Sequence, residues 1–458
     1  MSKRELRYVA ACGMLGTGFR AKSLRAGVAR KPDFIGCDAG SNDGGPYLLG
    51  TGGITSRARE RDYQLALEGA MTLGVPLVIG SCGGSGLDHS VDEMGEWTDR
   101  IAKAAGKKVR VAKIYAEPDR EVLKAKFRAG KVTPLFGARP IEESTFDSST
   151  HVTAMMGAEA LQAAMSEGAD VVLAGRCSDS AIFAAMPLAR GFDAGLAWHA
   201  AKIMECGTAA AANRMVQDSM ICTMRDGSFD IEPLDQKFRC TPVSVAAHSL
   251  YENSDPYRLV EPGGTVDTTA SRYTAKNERI VTVTGSVFEA DSPYTMKLEG
   301  AEQIGYQSFA FGAIRDPVIL DQIESWRDGA ANQIRQRISD DLGLDEGRDY
   351  ALELRLYGVN GVLGRREFVH GRDGHEAVLL MLVTAADEEV AATVARAGNH
   401  IAMHFHVPEW SGSITTLAYP FGPQVIDRGP VYRFTLNHAV ATDATELLRY
   451  DYEEMGAK

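Results

Sequence analysis

Four loops rich in glycine and polar residues each follow an apolar run. They read Ala11-Cys12-Gly13-Met14-Leu15-Gly16-Thr17-Gly18, then Gly36-Cys37-Asp38-Ala39-Gly40-Ser41-Asn42-Asp43-Gly44-Gly45, then Gly80-Ser81-Cys82-Gly83-Gly84-Ser85-Gly86, and finally Gly175-Arg176-Cys177-Ser178-Asp179-Ser180. The third loop is suited to an anion. A strand, a glycine turn and a helix start offer free N–H groups and the positive end of a dipole. No Gly-Lys-Ser/Thr follows it, so it is not a nucleotide P-loop, and the first loop departs from the G-x-G-x-x-G spacing. Arg176 has the planar fork that grips a carboxylate or phosphate in two places. Asp179, near a helix start, suits acid/base work as well as capping. Asp38 and Asp43 flank Ser41-Asn42, where two carboxylates could share a proton or hold a metal. His89, directly after the third loop, is a further acid/base candidate.

These loops define the expected site. Proton transfer falls to Asp38, His89 or Asp179, with nothing in the sequence to choose among them. Binding falls to Asn42, Asp43, Cys82, Gly83, Gly84, Arg176 and Ser180. Each has a plainer alternative: tight turns without ligand, an Arg176–Asp179 ion pair, or aspartates that merely suit a glycine-rich turn. His400, His404 and His406 form the densest histidine cluster, and His400 and His404 stand one helical turn apart. No H-E-x-x-H pattern accompanies them, and histidines near a helix end commonly serve its carbonyls. Cys12, Cys37, Cys82 and Cys177 end separate apolar runs and suit small buried positions; none stands in a C-x-x-C pair. His199 and Glu205 are open to either a structural or a chemical role. A G-x-S-x-G nucleophile elbow is absent. No metal ligand is assigned, and the leading chemistry requires no cofactor.

The elements that must position these loops alternate in the manner of a parallel sheet. Strands are expected at residues 7–12, 33–37, 75–81, 108–115 and 170–175. Helices are expected at 63–73, 91–105, 117–130 and 151–168. Ligands of open parallel sheets bind beyond the carboxyl ends of the strands, where the four loops fall. From about residue 203 the rhythm changes. A hairpin over 221–230 turns at Asp226-Gly227, and 265–285 reads as strand with a turn at Ala275-Lys276-Asn277. Then come strand 303–314, helix 318–342, strands 350–357 and 377–384, helix 387–404 and strand 431–437, the split βαβ order. The expected fold is α/β, a parallel Rossmann-like sheet domain over 1–285 followed by a ferredoxin-like α+β domain over 286–458.

Composition narrows the partners. Across 458 residues, 49 Lys+Arg against 61 Asp+Glu leave a net charge of −12, which disfavours nucleic acid and anionic membrane surfaces. No apolar run reaches the roughly 18 residues of a membrane span, and the opening Met-Ser-Lys-Arg-Glu does not read as a signal peptide. A cytoplasmic enzyme is expected, assembled as a homodimer or higher homo-oligomer.

A family resemblance runs through the same residues. Gly168-Ala169-Asp170-Val171-Val172-Leu173-Ala174-Gly175-Arg176 followed by Asp179 resembles the acyclic terpene utilisation (AtuA-like) family. So do Ile203-Met204-Glu205-Cys206-Gly207, Asp226-Gly227-Ser228-Phe229, Tyr357-Gly358-Val359-Asn360 and Gly429-Pro430-Val431-Tyr432, the last closing in Leu436-Asn437-His438. The resemblance implies a role in bacterial catabolism of branched acids, typically through acyl-CoA esters. It also implies a ferredoxin-like module, in agreement with the C-terminal pattern. Ser81-Cys82-Gly83-Gly84 stands where the family typically has Asn-Ala-Gly-Gly. Asp38-Ala39-Gly40-Ser41 stands where it tends to have an acidic Leu-Ala-Glu-type turn. Both departures lie in the expected crevice and imply a divergent specificity.

The expected function is therefore a catabolic lyase of hydratase type, acting on a small carboxylic acid or its CoA thioester. Adding or removing water beside a carbonyl needs two acid/base groups and a place for enolate charge. The alternatives are a metal-dependent hydrolase or isomerase using Asp38, Asp43 and histidines, and a non-catalytic subunit that binds an acyl-CoA.

Overall fold

The structure, a computed structural model, describes residues 4–53, 56–214, 216–369, 374–412 and 415–457. Sequence rhythm places a division after residue 285; compactness divides the chain into Met1–Glu302 with Phe434–Lys458, and Gln303–Arg433.

In the first unit, alternation along the strands builds two cores on opposite faces of one sheet. Tyr8, Ala10, Phe34, Val78 and Val172 face one core, with Ile182, Phe183 and Trp198 from the helices above. Val9, Ala11, Ile35, Ile79 and Leu173 face the other, with Tyr63, Leu67 and Met94. Strands buried on both faces are the mark of a helix-covered parallel sheet. Its centre is indeed parallel: Glu5–Met14, Phe34–Asp38, Leu77–Gly80, Val171–Ala174 and Lys108–Tyr115 lie side by side in that order.

Among the described residues the sheet as a whole is mixed rather than parallel, with ten strands. The hairpin Met220–Arg225 and Ser228–Pro233 adds antiparallel to Glu5–Met14. A second hairpin, Arg272–Ala275 and Val281–Thr284, extends that edge. At the other edge Arg449–Gly456 pairs antiparallel with Lys108–Tyr115 along its whole length. The run expected as one strand over 265–285 is split. Gly264–Asp267 belongs to a separate antiparallel sheet with Arg258–Glu261 and Val287–Ala290. The turn after Ala275 forms where expected, with Asn277 Oδ1 accepting from the N–H groups of Arg279 and Ile280.

Helix placement follows local signals. Ser56 caps the helix Arg57–Leu73 by accepting from Arg59 N–H, and Gly74 ends it in the left-handed conformation. One helix expectation is corrected. Residues 151–168 are a strand, His151–Met155, and then a helix, Ala158–Ser166. Val152 and Thr153 are β-branched and pair with Gly300 and Glu299 of the strand Thr295–Ile314, and Gly157 breaks the chain between the two elements. Register there sets Lys297 opposite Met155 and Glu299 opposite Thr153.

The second unit runs strand, helix, strand, strand, helix, strand. Its elements are residues 303–314 of Thr295–Ile314, then Ile323–Leu342, Tyr350–Tyr357, Ala377–Ala385, Glu388–Met403, and residues 425–433 of Val425–Ala441. Spatially the strands lie second, third, first, fourth. Trp326, Ile334, Met381 and Val394 fill its core. Among the described residues no helix is long and apolar enough to cross a membrane.

Candidate functional site

The site is built where the parallel strands end. Val171–Ala174 is wholly buried, and the chain leaves it through Gly175 into Arg176. The third loop passes directly beneath. A Cβ on Gly86 would stand 2.2 Å from Arg176 N, and Gly86 has a φ of +69°, so only glycine fits. Arg176 is thereby pinned at its backbone. Its side chain donates from Nε to Glu299 Oε2 at 2.7 Å and from Nη1 to Ser81 Oγ at 3.1 Å and Cys177 O at 3.2 Å.

Glu299 is the hub. Residues 297 and 299 share one face of their strand by alternation. Lys297 Nζ lies 2.8 Å from Glu299 Oε1, and Asn42 Nδ2 donates to Oε2 at 2.8 Å. Burial raises the carboxyl, but the Arg176 and Lys297 charges outweigh it and hold Glu299 well below the usual range. Two cations thus share this one carboxylate, and Arg176 has Asp179 as a second, more distant partner at 3.8 Å.

Arg176 and Lys297 line a cavity of about 530 Å³. Asp43, Asp179, Glu205, Glu252 and Glu261 bring carboxyl groups to the same cavity, and Lys202 a third cation. Burial pushes Asp179 up to about 7; Arg176, 3.8 Å away, opposes this, and Glu205 and Asp43 reinforce it. Burial also pushes Glu261 up to about 7, with Glu205 adding and Lys202 opposing. Lys202 lies 2.5 Å from Glu205, and burial raises Glu205 too. Two acids that titrate near neutrality therefore share one cavity with a cationic edge, the arrangement that acid/base chemistry requires.

Of the expected residues, Asp43, Arg176, Asp179 and Ser180 line this cavity. Asn42 acts from behind, through Glu299. Asp38 is buried; one oxygen accepts from Gly40 N–H at 2.7 Å, and the other has no partner among the described residues. Burial, then the Asp179 charge, push its carboxyl well up. His89, Cys82, Gly83 and Gly84 do not line the cavity. His89 Nε2 lies 2.6 Å from Gly52 O and so donates there, and its ring faces His151 at 6.4 Å. Gly83 O accepts from Arg59, and the first N–H of the helix Asp88–Ala104 is taken by Glu117 at 2.9 Å.

Other candidates resolve into structure. His199 is a core residue, with Nδ1 2.6 Å from Ser286 Oγ and Nε2 3.1 Å from Ser249 Oγ, and burial lowers it to about 3. The seven cysteines are free thiols; Cys12 and Cys37 meet at 3.3 Å, and burial raises Cys37, Cys82 and Cys177, which keeps them from acting as thiolates. Among the described residues no group of three or more His, Cys, Asp or Glu is placed to hold a metal ion.

Lys202, Glu261, Lys297 and Glu299 were not singled out from the sequence. Lys202 and Glu205 carried a signal: two charges three residues apart at the end of the otherwise apolar run Ala194–Met204. Lys297 and Glu299 carried another, charges at alternate positions of a strand whose intervening residues, Met296 and Leu298, are buried.

This is a mixed α/β protein whose sheet presents a polar, carboxyl-rich cavity at the ends of its parallel strands. The model of the acyclic terpene utilisation family protein AtuA matches residues 90–416, most of the chain, and the chain belongs to that family. No curated protein and no solved structure matches it.

Proposed function

We propose that this protein is a lyase of hydratase type, acting on a small hydroxy carboxylic acid or its CoA thioester. The observation that carries this reading is the pair Asp179 and Glu261, both raised to about 7 in one cavity edged by Arg176 and Lys297. Arg176 and Lys297 hold the carboxylate or carbonyl oxygen and stabilise enolate charge. Asp179, beside Arg176, is the base that takes the proton from the carbon next to the carbonyl. Glu261, which forms no ion pair among the described residues, is the acid that protonates the departing hydroxyl. Both groups titrate near 7, so their roles follow from their partners: Asp179 stands beside Arg176, whereas Glu261 meets the Ser178 and Ser180 hydroxyls.

Family membership supports a place in the breakdown of terpene-derived or other branched acids. The parallel centre of the sheet supports a Rossmann-like description of the first unit, and the spatial strand order of Gln303–Arg433 a ferredoxin-like one. A cytoplasmic homo-oligomer belongs to the same proposal, since open sheet edges invite pairing.

The test is solvent exchange. The full chain is incubated in D₂O with small hydroxy di- and tricarboxylates and with hydroxyacyl- and enoyl-CoA thioesters, and mass spectrometry follows deuterium at the carbon beside the carbonyl. Exchange or water loss is expected with at least one compound, and Asp179→Asn or Glu261→Gln should slow it by about 10²–10⁴-fold. A compound that raises the melting temperature yet never exchanges would replace the lyase with a binding subunit.

A further inference from the structure

Ser180 lies in the first turn of the helix Asp179–Ala189 and is buried. Its Oγ stands within hydrogen-bonding distance of two carboxyl groups, Glu261 Oε1 at 2.8 Å and Glu205 Oε2. A serine hydroxyl has one proton and two lone pairs. It donates to one of these oxygens and not to both. The other contact holds only if the carboxyl group is itself the donor, and a carboxyl donates only when protonated. With both groups ionised, two buried oxygens would face each other without a proton, which is strongly unfavourable.

The neighbours decide which group carries that proton. Lys202 Nζ donates to Glu205 Oε1 at 2.5 Å, which favours the ionised form of Glu205. Glu261 has no ion pair among the described residues; its Oε2 accepts from the Ser178 hydroxyl at 2.8 Å. The remaining charges facing the cluster, Asp179 and Glu252, are carboxylates that oppose a second ionisation.

We propose that Glu261 holds the proton of this cluster on Oε1 and donates it to Ser180, whose own proton goes to Glu205. Ser180 is then a positioning residue for the acid, an inference that rests on the reading of Glu261 as the proton donor. When Glu261 passes its proton to the departing oxygen, the Ser180 hydroxyl turns from Glu205 to the new carboxylate, and Glu205 keeps Lys202. One proton moves; Glu205 Oε2, which faces Ser180 and not Lys202, then lacks a donor, so the deprotonated cluster is the costlier state and favours regaining its proton.

Infrared difference spectroscopy of the folded full chain, without substrate and at mildly acid pH, tests this. Subtracting the Glu261→Gln spectrum should reveal a protonated-carboxyl C=O band that is also present in Glu205→Gln. Ser180→Ala should shift that band to higher frequency, because the O–H has lost its acceptor, and Ser180→Thr, which keeps a hydroxyl, should restore it. Loss of the band in Glu205→Gln instead, or no band lost in Glu261→Gln, overturns the assignment. A band position indifferent to Ser180→Ala removes Ser180 from the role. Since no turnover is measured, a protein without lyase activity can still show the band, and an active one can lack it.

Discussion

Arg176 and Glu299 form an ion pair 2.7 Å long across 123 residues of sequence, with side chains only 4% and 6% exposed. Arg176 also bonds Ser81 and the Cys177 carbonyl, so the pair ties two site loops to the strand that carries Lys297. A buried pair of this kind is weak evidence for net stability, but breaking it leaves one charge stranded. Glu299→Ala should therefore destabilise the protein by about 3–5 kcal/mol. Glu299→Gln, which keeps an acceptor for Nε, should lose less. Denaturant midpoints of the three proteins check this, and a Glu299→Ala midpoint equal to the parent's would show that the pair does not hold the site together.

Glu261 and Asp179 make stability depend on pH in a definite direction. Their ordinary values of 4.5 and 3.8 apply to the unfolded chain, and the folded values are about 7. Between those limits the folded state binds more protons than the unfolded state. Their contribution to stability therefore falls as pH rises through that window and levels off above it. Glu299 acts oppositely: its depressed carboxyl contributes stability that is lost only as pH falls below the usual range. Unfolding free energies measured across mildly acid to neutral pH should show a decline that Glu261→Gln makes shallower. An unchanged slope in that variant would mean that Glu261 titrates normally.

Lys297 separates binding from folding. Its side chain is 36% exposed, and Glu299 keeps Arg176 when Lys297 is gone. Lys297→Met should leave the melting temperature nearly unchanged. It should weaken a carboxylate ligand by about tenfold or more, as expected for one lost charged hydrogen bond. Titration calorimetry with a ligand found by thermal shift measures both. A stable variant with full affinity would move the carboxylate away from Lys297.

The parallel strands were legible because alternation and glycine loops are local signals, and the loops led to Arg176 and Asp179. Their partners were not legible. Glu299 and Glu261 reach the site only through pairing distant in sequence, and no short window reveals which of 61 acidic residues meets Arg176. His151–Met155 carries no strand signal of its own, because the alanine-rich stretch beyond it imposes a helical period on five residues that pair instead with 297–301. The edge strand Arg449–Gly456 has no clear sequence signal, since a half-exposed, charge-rich strand alternates weakly. His89 is near the third loop in sequence, whereas its ring turns to Gly52 and His151.

Gly86 should be the most sensitive glycine of the site, and Gly168 is its control. Both have left-handed backbones, with φ of +69° and +79°. An alanine at either position carries the same conformational penalty, about 1–2 kcal/mol. The surroundings differ. Nothing lies within 4 Å of a Cβ at Gly168, whereas one at Gly86 would stand 2.2 Å from Arg176 N and 2.5 Å from its Cα. Those atoms belong to a backbone fixed by Met156 N–H bonding Arg176 O at 3.0 Å, so the loop cannot yield without moving the arginine. Gly168→Ala should fold, lose no more than that penalty and keep its ligand affinity. Gly86→Ala should lose clearly more stability, and any folded fraction should bind carboxylate ligands poorly, because Arg176 no longer meets both Ser81 and Glu299. Equal stability losses in the two variants would show that the third loop does not set the position of Arg176.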